Sequence, residues 1–205
     1  LIPLVQRRTV WLPPALSILS MLLLGVLAGV LGLLVAAPLS LVVMLHGMHW
    51  TGRVFLDYAA MLEVLRFVAA RIEPRRVLAY LPGWEGRYYW QYGEYRAEPL
   101  LGGDAGFAKL CDGARELGIR VMPMFGANCV NAWLPRFRDF GPRARLKSAT
   151  GNRFHGNTPD WDLSRAHDTG WQAWLNPGHP GWRNELAGQI ESLATRFGFD
   201  AVFLD

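Results

Sequence analysis

Between Arg8 and Arg53 the sequence contains no Asp, Glu, Lys or Arg, and its first acidic residue is Asp57. Within that window, Ala15 to Leu45 reads ALSILSMLLLGVLAGVLGLLVAAPLSLVVML. A core helix of a soluble protein keeps a polar face, and this stretch has none. About 20 apolar residues suffice to cross a bilayer as a helix. Residues from about Trp11 to Leu45 are therefore expected to lie in lipid, and residues 1–47 to form a transmembrane segment. Gly25, Gly29 and Gly32 would let a second helix approach closely, so other transmembrane helices are expected partners besides the lipid bilayer. Pro38 kinks or ends a helix, and both a long kinked helix and a re-entrant pair fit the pattern. Arg7 and Arg8 put the N-terminal end on the cytoplasmic side, whereas Arg53 places charge on the other flank. The expected location is a bacterial inner membrane. Export is the rival: QRRTVWL loosely matches a twin-arginine signal, with Ala36-Ala37 before a cleavage point. Against it, the apolar run is about twice the length of a normal signal core.

The order of marks in this region carries a resemblance. Pro3, the Gln6-Arg7-Arg8 turn, Leu12-Pro13-Pro14, the three spaced glycines and Ala37-Pro38-Leu39 follow one another. In this the first 45 or so residues resemble the last membrane region of autoinducer-2 exporter family permeases. That resemblance implies permease ancestry, since the family moves small solutes or ions through a multi-helix bundle.

The remainder is ordinary in composition. The balance of 21 basic to 17 acidic residues is mild, and no basic stripe points to nucleic acid. Cys111 and Cys129 have no metal-ligand spacing, and no metal or cofactor is expected. The chain starts on Leu and stops on AVFLD, which reads as a piece of something longer.

After a polar break at His46–Gly52, the periodicity predicts a helix over 56–72 with Leu56, Ala60, Met61, Val64, Leu65 and Val68 on one stripe. Val77–Leu81 is a short apolar run between breakers, hence a buried strand. A helix over 104–117 is closed by Gly118, and a strand over 119–125 follows. A helix over 180–197 begins on Pro180 and is capped by Gly198, and the last strand spans 201–204. Apolar strands alternating with helices predict a parallel sheet covered by helices. After the first of these strands comes LPGWEGRYYW, which is no phosphate loop, so a (β/α) barrel is favoured over a doubly wound sheet. A full barrel takes about 250 residues. The expected fold class is thus a transmembrane α-helical segment followed by an α/β partial barrel, with residues 48–205 forming the incomplete (β/α)8 unit.

Barrel sites lie at the C-terminal ends of the strands. The first such end, PGWEGRYYWQYGEY, crowds Trp84, Tyr88, Tyr89, Trp90, Tyr92 and Tyr95 into fourteen residues. Flat aromatic faces suit stacking on sugar rings, and Glu85 and Glu94 can bond hydroxyls. The alternative is an aromatic loop that packs on itself. The second end offers Asn128, as a hydroxyl ligand or as a turn residue. The third is Asp205, a carboxylate directly after an apolar strand, which is costly unless solvated, paired or functional. The long polar and aromatic stretch 148–178, with Asp160 and Trp161, has the length of a functional loop.

These residues carry a second resemblance. The stretch from AYLPGWEGRYYW to MFGANC, then WQAWLNPGHPGWRNELAGQIESLATRFGFDAVFLD, looks like glycoside-hydrolase barrels of the broad α-amylase-like kind. It implies Asp205 as the nucleophile, Asn128 as a site asparagine and carbohydrate as partner. Trp84, Glu85, Tyr89, Trp90, Asp160 and Trp161 complete the candidate substrate-binding set. An amylase carries Asp, His and Arg where this chain has Met124, Cys129 and Phe203, so a looser glycosidase-like family is the better description. Glycoside hydrolysis needs a second carboxyl as proton donor, and the resemblance puts it on a later strand. The 205-residue chain by itself is therefore expected to be inactive. Three functions remain open: a membrane protein of permease ancestry with a truncated sugar-active barrel, an exported or signal-anchored glycosidase, and a non-catalytic sugar-binding domain on an anchor.

Overall fold

Four parallel strands succeed one another across the sheet in the order in which the chain makes them. They are β1 (Leu41–Met44), β2 (Val77–Leu81), β3 (Arg120–Phe125) and β6 (Phe203–Leu204). The computed structural model describes residues 41–87, 90–147 and 172–205. The transmembrane expectation for residues 11–40, and with it most of the permease-like region, lies outside the described residues. Among the described residues no helix is long and apolar enough to cross a membrane.

The described end of the apolar run does not belong to a membrane segment, which corrects the boundary expected at residue 47. Leu41–Met44 is the first strand of the sheet. Leu45 N donates to Tyr80 O and Gly47 N to Pro82 O, so β1 runs parallel to β2. Leu45 is buried in the core, and Val42–Asp205 forms one compact unit. A charge-free strand at the end of a charge-free stretch leaves no mark in composition, so the two run together in the sequence.

Each crossover between neighbouring strands carries a helix: α1 (Tyr58–Ala69), α2 (Gly103–Leu117) and, before β6, α4 (Pro180–Phe197). Parallel crossovers are right-handed, so a monotonic strand order places every helix on the same face. In agreement, α1 packs on α2 and α2 on α4. A sheet wound in one sense with helices on one face is part of a barrel, not a doubly wound sheet.

The helices form where the sequence indicates, with sharper ends. Asp57 caps α1 by accepting from Ala60 N, and Tyr58, Met61 and Leu65 are its buried stripe. In α2 the buried stripe is Phe107, Leu110, Cys111 and Ala114. A Cβ on Gly113 would meet the Leu62 side chain at 2.7 Å, so this glycine lets α1 and α2 close up. In α4, Trp182, Leu186, Leu193 and Phe197 face inward, and Gly198 ends the helix in the left-handed conformation at φ 68°.

Alternation along the strands separates two faces. Val77, Ala79 and Leu81 of β2 and Val121 and Phe125 of β3 point to the helices and are buried. The register pairs Tyr80 with Met122 and Met124 with Phe203 on the opposite, inner face. At the foot of β6, Asp200 clasps β3: its carboxylate accepts from Val121 N at 2.9 Å and its own N–H donates to Val121 O.

Three further elements were not expected. β4 (Cys129–Asn131) pairs antiparallel with β5 (Gln172–Trp174), within stretches that read as loops. A short helix, α3 (Phe137–Ala144), packs on α4 despite holding Gly141 and Pro142.

Candidate functional site

The C-terminal ends of β1, β2, β3 and β6 meet at one rim of the sheet, and there the inner face changes from apolar to polar. On β1 the alternation that buries Leu45 points Met44 and His46 inward. On β2 it points Tyr80 inward, and on β6 Phe203 and then Asp205. Tyr80 packs its ring against Phe203 at 5.0 Å and donates its hydroxyl to Met124 Sδ at 2.9 Å.

Asp205 is fixed by its backbone. Its N–H donates to Phe125 O at 2.9 Å, and its carbonyl accepts from Ala127 N at 2.8 Å. The residue therefore continues the β3–β6 pairing, and its side chain stands at the mouth. It is exposed, yet partial loss of water holds its carboxyl above the usual carboxylate range. Its charge reaches two groups. Tyr80 is pushed up to about 12, first by burial, then by Asp205 and Glu85. Cys129 is pushed up to about 12 by burial, a hydrogen bond from Gln172 opposes this, and Asp205 adds to it. The mouth thus sets the Asp205 carboxyl near a phenol and a thiol that are both neutral at pH 7.

His46 was not anticipated, because the strand that positions it was not. Burial lowers its pKa, the Met48 carbonyl raises it and His49 lowers it. Its Nε2 lies 3.2 Å from Met48 O, which assigns the proton to Nε2. Behind the mouth, Tyr95 locks the exit of β3: its hydroxyl accepts from Gly126 N at 2.8 Å and donates to Gly126 O at 3.0 Å.

The aromatic loop divides sharply. Trp84 was expected to stack on sugar, but it has no exposed surface. It stacks on Phe107 at 4.8 Å and donates Nε1–H to Met124 O at 2.8 Å, so it is a core residue that joins the β2 loop to β3. Tyr92 and Tyr95 are buried too, which is the self-packing alternative for these positions. Trp90 is half-buried and stays at the surface side, edge-on to Trp133 at 5.9 Å and under the Arg87 guanidinium at 4.7 Å.

Glu85 was expected to bond sugar hydroxyls, and this too is corrected. It is fully buried, and neither carboxylate oxygen has a hydrogen-bond partner. Burial pushes its pKa up to about 8, its own backbone N–H works the other way, and the charge of Glu98 adds to the rise. It is a neutral carboxylic acid at pH 7, enclosed behind the rim. Asn128 is half-buried on the turn between β3 and β4, where its carbonyl accepts from Leu175 N. Tyr89, Asp160 and Trp161 lie outside the described residues. Among the described residues no group of three or more His, Cys, Asp or Glu side chains could hold a metal ion.

No protein-family model matches the sequence, and no curated protein matches it. Solved structures do. The ligand-free α-N-acetylgalactosaminidase of Bifidobacterium bifidum aligns over 82% of this chain and 28% of its own, at 17% identity and a TM-score of 0.63. An α-amylase from Geobacillus thermoleovorans, complexed with acarbose, aligns over 82% of this chain and 40% of its own, at 15% identity and a TM-score of 0.57. An α-galactosidase from Thermus thermophilus aligns over 79% and 30%, at 18% identity and a TM-score of 0.54. What these structures share with the chain is the fold, part of a (β/α) barrel. The chain spans less than half the length of each of these proteins. Nothing among these likenesses is a permease, so the autoinducer-2 exporter resemblance gains no support from them.

Proposed function

We propose that this chain is part of a carbohydrate-active barrel that acts on glycosides, with Asp205 as the nucleophile or as the group that stabilises positive charge on the reacting sugar. The supporting observation is the place of Asp205: the residue directly after the strand Phe203–Leu204, its carboxyl exposed at the mouth near Tyr80 and its backbone tied to β3 on both sides. A carboxylate fixed in this way can attack an anomeric carbon or face an oxocarbenium-like transition state. His46 and Tyr80, both on the inner face, direct their protons to Met48 O and Met124 Sδ, so toward sugar hydroxyls they would serve as acceptors. The similar structures include enzymes complexed with acarbose and with p-nitrophenyl α-D-galactopyranoside, which recommends α-glycosides as first substrates.

A proton donor is the missing half of this chemistry. Glu85 holds a proton at pH 7 but is enclosed, so it does not fill the role. The expected results are weak binding of p-nitrophenyl α-D-galactopyranoside or acarbose by the chain without hydrolysis, and weaker binding by Asp205→Ala. Equal binding by Asp205→Ala and the parent chain, measured by titration calorimetry, would remove Asp205 from the site.

The charge-free stretch before residue 41 supports a second element of the proposal, that the barrel part is carried on a membrane. Recovery of the chain in the detergent-extractable pellet after carbonate washing is the expected outcome. Recovery in the wash would leave only the barrel reading.

A further inference from the structure

Away from the mouth, α4 forms one wall of an open cavity of about 350 Å³ that neither resemblance nor fold accounts for. Its other walls are Glu94 and Tyr95 of the aromatic loop and Arg136 at the start of α3. Its size is that of a site for one or two sugar units, at the lower end of the range for ligand pockets.

The floor is marked by a glycine. Gly188 lies in the interior of α4, and a Cβ built on it meets nothing within 4 Å. No neighbour requires a glycine there, and a glycine in a helix interior destabilises it relative to alanine. What the missing side chain leaves is room inside the cavity.

The walls are charged, balanced and braced. Two acids, Glu94 and Glu185, face two bases, Arg136 and Arg196. Arg136 pairs with Glu185 at 2.5 Å, and Arg196 with Asp104 at 2.6 Å. Gln189 is held at both ends of its amide: Nε2 donates to Gly93 O and to Glu185 Oε1, and Oε1 accepts from Tyr95 N. Such a lining has no excess of either sign to favour an anion or a cation. It offers donors and acceptors in fixed positions, beside the apolar surface of Leu193. Alternating hydroxyls and C–H faces of a neutral sugar match that pattern.

We propose that this cavity is a second carbohydrate site, built by α4 and the aromatic loop, which binds a neutral mono- or disaccharide without acting on it. It would hold a neighbouring part of a glycan while another part meets the barrel mouth. Glu94, singled out in the sequence as a hydroxyl ligand, would act here and not at the strand ends.

The test is amide NMR on the full chain, kept in a sugar-free detergent, titrated with galactose, N-acetylgalactosamine and maltose. The expected result is saturable shifts for residues 184–196 and 93–95 with at least one of the three sugars. Gly188→Leu, which fills the cavity, should weaken that binding about tenfold or more. Gly188→Ala serves as the folding control, since it strengthens the helix and adds a single methyl; Asp205→Asn should leave these shifts intact. The proposal is overturned if no sugar of the three shifts these amides, if Gly188→Leu binds like the parent, or if inorganic phosphate shifts them and the sugars do not.

Discussion

The two faces of the sheet differ in how fully the chain finishes them. On the helix side, Val77, Ala79, Leu81, Val121 and Phe125 are closed over by α1, α2 and an aromatic group in which Trp84 touches both Phe107 and Phe125. On the inner side, Val42 is 55% exposed, Met44 63% and Phe203 40%. One strand thus contributes to a dry core through one set of alternate residues and to an open surface through the other. Stability resides in the first face, and the polar rim with Asp205 belongs to the second. Substitutions can test that division directly.

The largest effect is expected on the closed face. Trp84→Ala removes a fully buried indole and the hydrogen bond that ties the β2 loop to Met124, and should cost about 3–5 kcal/mol. Denaturant unfolding measures it. A loss below about 1 kcal/mol would mean that the loop is not part of the core.

The next effect depends on pH and sits between the two faces. In the unfolded chain Glu85 ionises near 4.5, and in the folded chain near 8. The folded state therefore holds the proton more tightly, and stability from this group is fully present below the lower value. It falls as pH rises through that window and levels off above about 8, by a few kcal/mol in all. Glu85→Gln keeps the shape and removes the titration, so its unfolding free energy should decline less between pH 5 and 8 than that of the parent. Parallel curves for the two proteins would show that Glu85 reaches water or a counter-ion.

The smallest effect is expected on the open face. Val42→Thr and Met44→Gln should each change stability by no more than about 0.5 kcal/mol, because these side chains already meet solvent. A loss of about 2 kcal/mol from either would show that something covers the inner face in solution.

Much of this was legible in the sequence, for physical reasons that differ by element. The helices α2 and α4 announce themselves, because a buried stripe every three to four residues ends on a glycine, the residue that the left-handed end of a helix favours. Strand β1 is invisible, since its four residues share the composition of the apolar stretch before it. Helix α3 hides behind Gly141 and Pro142, two residues that argue against a helix until Phe137 and Phe140 find Trp182 and the core to pack on. At the mouth, Asp205 is recognisable because an acid after an apolar strand stands out. Trp84 and Glu85 mislead for the opposite reason: in an aromatic, glycine-containing loop nothing distinguishes a side chain turned to solvent from one folded under. His46 could be found only after β1 was known.

The Asp200 clasp also bears on how the chain comes together. Val121 and Asp200 lie 79 residues apart, whereas β2 meets β3 after a single helix. Closing the longer loop costs more chain entropy, and contacts of that separation slow folding. As the polypeptide leaves the ribosome, β1 to β3 with α1 and α2 can assemble at once, while β3 keeps a vacant edge until residue 200 arrives. The strand that leads to Asp205 then docks after β1 to β3, so the acid at the mouth is set in place on a sheet that already exists.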